Sequence, residues 1–347
     1  MANMHWGRTM VEMIVRRSLH EIQQDPKRAI RKLVDLGMET SGGDLQKSFM
    51  GTAQRMLMNE DSPYYDLALD LVQRVDHERI LKFGVNLGWN SLTEGAARIR
   101  ELEAARGHNI PWSMTFHISE GPDALTEEEY RRLVSEGMEL GIYSYFLMPE
   151  DDASVYKAVD LAGACRDCAF FLLVPGGCDW ESGVSSLLSP ANLMLGVDFG
   201  GSDWEMRVKQ LQQQKGLYFL YRRYSTEEDV EGIVSGAWMQ QAGSYAGLGV
   251  VLINAADPVS GDPGRPVYQY ALDARMGQRY PALVLDFYPD DLYLDVQISH
   301  DPCFVGVLPD GTLTEYRHDC EMPTRLSVRS APLGDLLPYW RKESVGL

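Results

Sequence analysis

Four side chains that could take part in acid–base chemistry or bind charge lie close to apolar segments of this chain: His117, Glu120, Asp198 and Arg222. A histidine beside a carboxylate can transfer a proton, so His117 with Glu120, or with Asp198, is a candidate general acid/base pair. The competing interpretation is that a single histidine within the apolar stretch WSMTFHIS is a hydrogen-bonded core residue. The sequence leaves both open.

Two adjacent arginines, Arg222 and Arg223, follow the apolar stretch GLYFLY. An arginine pair at the end of a strand is suited to hold a carboxylate or phosphate group, which makes it the strongest candidate ligand anchor. The alternative is a salt bridge from this pair to Asp198 or Glu150. Both interpretations require these side chains to meet at one place in the fold.

The five cysteines do not form a recognisable disulfide framework, because their number is odd and no secretion signal opens the chain. Cys165, Cys168 and Cys178 allow a zinc or iron–sulfur hypothesis. Against it, Cys168 opens the apolar run CAFFLLV, where a free buried cysteine is common, and no fourth ligand lies at suitable spacing. We therefore expect no metal site.

Composition limits the function classes. The chain has 347 residues, 45% hydrophobic and 24% charged, with a net charge of −18, which is typical of a soluble globular protein. This acidity argues against nucleic acid as a partner. The absence of a long apolar run argues against a membrane span, and we expect a cytoplasmic protein. We interpret the one basic cluster, Lys27-Arg28 with Arg31-Lys32, as a solvated helix face. The alternative is that it is a docking surface for an acidic partner.

The pattern of apolar residues divides the chain into three regions. Residues 1–107 are helical in character, with helices predicted around 10–24, 29–38, 64–75 and 94–106, the last ending at Gly107. Residues 108–289 alternate short apolar runs with amphipathic helices, which predicts a parallel sheet covered by helices and closed into a full or partial barrel. Residues 290–347 predict a small module of antiparallel strands, including DLYLDVQI, with Pro309-Asp310-Gly311 as a turn.

In such a barrel the functional groups collect at the C-terminal ends of the strands. The polar side chains expected there are His117, Ser119, Glu120, Glu150, Asp151, Asp198, Arg222, Arg223, Tyr224 and Asn254.

The order of these segments resembles radical SAM proteins that carry a C-terminal auxiliary-cluster module of the SPASM or twitch type. IPWSMTFHIS followed by LTEEEYRRLVSEGMELGIY is similar to the family's first strand and helix. YFLMPEDD stands where the family has Gly-Gly-Glu-Pro, CAFFLLVPGG where it has Thr-Asn-Gly, and LMLGVDFGG where a strand ends near the ribose of S-adenosylmethionine. Cys303 with FVGVLPDGTLTEY resembles the module's hairpin. The resemblance covers 110–338 and implies a radical-SAM-like partial (β/α) barrel, TIM-barrel-like, with a helical N-terminal extension and a small C-terminal β module.

The chain departs from that family at its functional positions. The loop 120–125 contains none of the three cysteines that hold the family's [4Fe-4S] cluster, and Tyr316 stands at the hairpin's second cysteine position. Thiolates hold such clusters, so we expect no [4Fe-4S] cluster. By the resemblance, cofactor binding falls to Glu150, Asp151, Asp198, Arg223 and Asn254, and S-adenosylmethionine is a less favoured ligand.

The resemblance therefore implies a degenerate radical SAM-like protein that acts in binding, scaffolding or regulation. Its partner could be an active radical SAM enzyme, and a peptide or small molecule could occupy the barrel mouth. The alternative is an enzyme that uses the mouth for cluster-free chemistry on a small molecule or peptide, with His117, an acidic residue and Arg222 as the working groups.

Overall fold

The N-terminal region consists of helices, as its apolar spacing predicts. The structure is a computed structural model that describes residues 7–40, 44–179, 183–255 and 264–342. Ser62 caps the fourth helix by accepting from the amide of Tyr64, and Gly107 ends the sixth in the left-handed conformation at φ 73°. The helices are α1 (Arg8–Gln24), α2 (Pro26–Thr40), α3 (Asp44–Leu57), α4 (Pro63–Arg74), α5 (His77–Val85) and α6 (Ala96–Arg106), with the π-helical segment Asn86–Gly95 between the last two.

The central region alternates strands and helices. Its strands are β1 (Ser113–Ile118), β2 (Ser144–Pro149), β3 (Ala169–Val174), β4 (Leu193–Asp198), β5 (Tyr218–Tyr224), β6 (Gly249–Asn254) and β7 (Leu283–Asp286). The intervening helices are α7 (Glu127–Leu140), α8 (Asp152–Ala164), α9 (Val184–Leu187), α10 (Trp204–Gln213), α11 (Glu227–Val234), α12 (Ala237–Ala242) and α13 (Gly264–Met276). Each of the seven predicted apolar runs coincides with one of these strands to within one residue at its C-terminal end or contains it. The predicted α/β class and partial barrel are confirmed.

The described strands form one sheet in the order β10-β9-β8-β1-β2-β3-β4-β5-β6-β7, and β1 to β7 are parallel. Alternate side chains of a strand point to opposite faces of its sheet. One set, which includes Phe116 and Leu195, packs against the outer helices. The other set fills the concave side with aromatic rings, including Phe146, Phe171 and Phe219. The partial barrel therefore has a packed interior.

The C-terminal region extends the same sheet. Its elements are α14 (Phe287–Ser299), β8 (Gly306–Val307), β9 (Thr312–Arg317), β10 (Cys320–Ser327) and α15 (Leu333–Leu336). The turn predicted at Pro309-Asp310-Gly311 joins β8 to β9, where the amide of Gly311 donates to the carbonyl of Leu308 at 2.9 Å. Because β8 pairs with β1, the hairpin of β9 and β10 lies at the edge of the barrel sheet.

The strand predicted for DLYLDVQI is wrong, because these residues belong to helix α14. Asp291 and Asp295 stand four residues apart, which places them on one helix face. The Asp291 carboxylate accepts from the hydroxyl of Ser113 at 2.7 Å, and the Asp295 carboxylate accepts from the amide of Trp112 at 3.0 Å. The alternation of polar and apolar residues is that of a strand, but contacts with the start of β1 favour the helix.

Candidate site at the barrel mouth

The polar groups of the barrel mouth centre on Glu321, which sequence reasoning did not select. Its carboxylate lies 2.9 and 3.0 Å from Nε2 of His117 and accepts hydrogen bonds from the hydroxyls of Thr314 and Tyr288. Only 10% of the Glu321 side chain is exposed, against 24% for His117. The C-terminal hairpin thus inserts a carboxylate against the end of β1, two residues before the loop 120–125.

Hydrogen bonds determine the charge state of Glu321. Burial alone would raise the pKa of this carboxyl, but the hydrogen bonds and charge from His117, together with the Thr314 and Tyr288 hydroxyls, lower it below its usual range. Burial and the neighbouring Glu321 carboxylate raise the pKa of Tyr288 well above its ordinary value. The site therefore holds an ionised carboxylate against a neutral phenol.

Small and aromatic residues make room for this carboxylate. A Cβ atom at Gly306 of β8 would collide with Oγ1 of Thr314 and Oε1 of Glu321, so glycine is needed there. The ring of Tyr316 stacks on that of Tyr288 with centroids 4.5 Å apart and an interplanar angle of 17°. Tyr316 thereby packs against the aromatic cluster of the concave interior.

Asp198 and Arg223 lie on the other side of the mouth. Oδ1 of Asp198 accepts from the amide of Gly200 at 2.9 Å. The exposed guanidinium of Arg223 lies 5.7 Å from the ring centroid of Tyr221. The hydroxyl of Tyr221 donates to the carbonyl of Val174 at 3.0 Å, and burial, then Asp198, raises its pKa. The Arg223 guanidinium is thus a solvent-facing cation that packs on the buried ring of Tyr221.

Arg222 belongs to the outer face of the sheet, which corrects its expected place in the mouth. Adjacent residues of a strand point to opposite faces, so Arg222 and Arg223 cannot share a ligand from one side. The Arg222 guanidinium lies 3.8 Å from the Trp238 ring centroid and donates to Oε1 of Gln241 at 3.3 Å. Asp198 and Glu150 are not its ion-pair partners among the described residues.

Most of the remaining predicted residues form ion pairs or hydrogen bonds within the protein. Glu120 pairs with Lys157 at 3.0 Å, whose ammonium also donates to the carbonyl of Ser119 at 3.4 Å. Asp151 caps α8 by accepting from the amide of Ser154 at 2.8 Å. The exposed Glu150 lies beside it. The Tyr224 hydroxyl donates to the Asp286 carboxylate, and the Asn254 amide donates to the carbonyl of Asp319 in the turn between β9 and β10.

The three cysteines considered for a metal are separated by strand β3. Cys165 and Cys168 precede it and Cys178 follows it, and six residues of strand span about 20 Å. Burial, then a hydrogen bond with Asp152, raises the pKa of Cys178 to about 12. A metal site shared by the three thiols is therefore wrong. Within the described ranges no group of three or more His, Cys, Asp or Glu side chains is placed to hold a metal ion.

The sequence offered only a faint signal for the residues that were missed. Glu321 is an acidic residue within the mixed strand CEMPTRLS, and Tyr288 lies three residues before the segment DLYLDVQI that was predicted as a strand. Their contact with His117 spans 204 residues of sequence in the case of Glu321. Such a long-range pair leaves no mark in local spacing.

No family model and no curated protein sequence matches the chain. Two solved structures of Streptococcus suis SuiB share its fold. The structure bound to precursor peptide SuiA has a TM-score of 0.52 at 10% identity and covers 72% of this chain and 69% of that one. The structure bound to S-adenosylmethionine has a TM-score of 0.50 at 10% identity and covers 72% and 68%. None of the described helices is long and apolar enough to cross a membrane. At 10% identity the likeness to SuiB is one of fold.

Proposed function

We propose that this chain is a cluster-free binding protein built on the radical-SAM-like partial barrel, and that it holds a peptide or small molecule at the barrel mouth. The observation that carries the proposal is the insertion of Glu321 against His117, where the hairpin meets the end of β1. An ionised carboxylate with three hydrogen-bond donors fixes the hairpin over the packed interior.

The residues of the loop 120–125 do not fit an iron–sulfur cluster. Its side-chain donors are the carboxylates of Glu120 and Asp123, and Glu120 is paired with Lys157 at 3.0 Å. Cluster iron is held by thiolates, and reductive cleavage of S-adenosylmethionine depends on that cluster. No radical step is therefore assigned to this chain.

Arg223 is the group best placed to recognise a ligand. Its exposed guanidinium rests on Tyr221 and can form paired hydrogen bonds with a carboxylate, while the Asp198 carboxylate, which also acts on Tyr221, can receive an amino group. That combination suits a peptide or an amino-acid-like molecule. SuiB, which shares the fold, binds a precursor peptide in one structure and S-adenosylmethionine in the other.

Thermal unfolding with added ligands tests the binding role. The probes are S-adenosylmethionine and a set of short peptides with free carboxyl ends, applied to the wild type, to Arg223→Gln and to the exposed control Arg325→Gln. A ligand that binds at the mouth should raise the thermal unfolding midpoint of the wild type and of Arg325→Gln, but not that of Arg223→Gln. Equal responses in all three proteins would contradict this assignment.

A second candidate function is acid–base catalysis at the same mouth. The specific observation is that Glu321 orients the His117 imidazole through Nε2, which leaves its other ring nitrogen for a substrate. Mass spectrometry of the ligand after incubation with the protein tests this role. The catalytic role is supported if the wild type changes the mass of the ligand, and if His117→Gln still binds the ligand but leaves its mass unchanged. Recovery of the ligand unchanged favours the binding role.

A further inference from the structure

A groove far from the barrel mouth runs along helix α2. It consists of two adjoining cavities of about 580 and 500 Å³, which share Arg31, Asp35 and Glu60. The first is lined by the four cations of the basic cluster Lys27, Arg28, Arg31 and Lys32. In a chain of net charge −18, these four cations lie within six residues, and Asp25, Asp35 and Glu60 line the same cavity.

Two of these cations have hydrogen-bond or ion-pair partners within the protein. Nε of Arg31 donates to the hydroxyl of Tyr65 at 2.6 Å, and its guanidinium reaches Glu60 at 3.5 Å. Lys32 pairs with Glu21 at 2.8 Å. Arg31 and Lys32 therefore contribute to the shape of the groove, and their charges are largely compensated.

The other two cations face solvent without a carboxylate. Lys27 and Arg28 are both exposed, and neither side chain forms an ion pair among the described residues. The ammonium of Lys27 lies 5.7 Å from the ring centroid of Tyr65, which limits its range of positions. Two neighbouring cations on a rigid helix are suited to receive carboxylates from another molecule.

The second cavity supplies an apolar surface. It is lined by Val34, Leu57 and Met58 beside the polar residues that it shares with the first. The Met58 side chain is 79% exposed, and flexible methionine side chains adapt to varied apolar partners. The groove thus places free cations at one end and an accessible apolar floor at the other.

We propose that this groove docks an acidic, amphipathic peptide segment of a partner protein. Carboxylates of the segment pair with Lys27 and Arg28, and an apolar side chain of the segment covers Val34 and Met58. The carboxylates of Asp25, Asp35 and Glu60 in the groove wall disfavour the closely spaced phosphates of a nucleic acid. The surface is separate from the mouth, so its occupant does not depend on the function of the barrel.

Fluorescence anisotropy of the full chain tests the docking surface. The probe is a fluorescein-labelled peptide with glutamate and leucine at helical spacing, compared with versions in which glutamine replaces glutamate or serine replaces leucine. A single-stranded oligonucleotide of the same charge is the fourth probe. We expect the first peptide to bind most tightly, and its affinity to fall as salt is added.

Two sets of variants make the test specific. Lys27→Glu with Arg28→Glu should weaken binding of the first peptide by about tenfold or more, and Met58→Ser should weaken it through loss of apolar contact. The matched control, Arg166→Glu with Arg325→Glu, makes the same change in net charge at exposed sites elsewhere and should leave binding unchanged. Failure of the peptide to bind, an equal loss in the control, or tighter binding of the oligonucleotide would overturn the proposal.

Discussion

The carboxylate of Glu321 in the C-terminal hairpin lies 2.9 Å from Nε2 of His117 at the end of the first barrel strand. This contact joins the last strand of the sheet to the strand that precedes the loop 120–125. In the radical SAM proteins that the chain resembles, that loop carries the cluster cysteines. Here the end of the strand is occupied by a hydrogen-bonded carboxylate.

Replacing Glu321 with glutamine should destabilise the protein by about 1–3 kcal/mol at neutral pH, because charge-assisted hydrogen bonds at a buried site are lost. Glu139→Gln, at an exposed helix position, is the control and should change little. Urea unfolding measures both free energies.

The difference in unfolding free energy between the wild type and Glu321→Gln should depend on pH. Because the folded pKa of Glu321 is lowered, its stabilising contribution is present above the unfolded value of about 4.3 and is lost as pH falls through the folded pKa. The difference between wild type and Glu321→Gln should therefore shrink below about pH 4. A difference that does not change with pH would mean that the charge of Glu321 does not matter.

Asp291 should have the opposite pH dependence. Burial raises the pKa of this fully enclosed carboxyl to about 7, although the Ser113 hydroxyl donates a hydrogen bond to it. The folded state then binds more protons than the unfolded state between about pH 4 and 7, so the charged form opposes folding as pH rises. The unfolding free energy of Asp291→Asn, measured relative to the wild type, should therefore be more favourable at pH 8 than at pH 5. Urea unfolding at the two pH values decides this.

Close backbone packing makes Gly95 irreplaceable. A Cβ there would collide with the carbonyl oxygen of Gly141 and lie 2.8 Å from that of Asn90. Gly95→Ala should cost about 1–3 kcal/mol of unfolding free energy. Gly88→Ala, in the same π-helical segment but with no atom within 4 Å of its Cβ, is the matched control and should be neutral or slightly stabilising. Equal effects would contradict the packing argument.

The thiol of Cys178 should be slow to react with iodoacetamide. Burial and the hydrogen bond with Asp152 raise its pKa to about 12, so little thiolate forms at pH 8. Asp152→Asn should speed alkylation of Cys178, measured by mass spectrometry relative to Cys320 in the same sample. An unchanged ratio would remove Asp152 as a cause.

Local sequence patterns were sufficient for most of the fold and for little of the site. Apolar runs and capping residues such as Gly107 predict the strands and helices because these signals lie within a few residues of each other. The helix at 287–299 could not be predicted, since contacts of Asp291 and Asp295 with distant residues override a strand-like alternation. The position of Glu321 beside His117 and the outward orientation of the Arg222 side chain depend on strand pairing and register, which one sequence does not reveal.

The proposed function requires this barrel to work without an iron–sulfur cluster. The direct measurement is the iron and sulfide content of the full chain after anaerobic reconstitution, together with an assay for reductive cleavage of S-adenosylmethionine under a strong reductant. We expect no stoichiometric iron or sulfide and no cleavage, because the loop 120–125 offers no thiolate. A bound cluster in stoichiometric amount, with cleavage of S-adenosylmethionine, would contradict it.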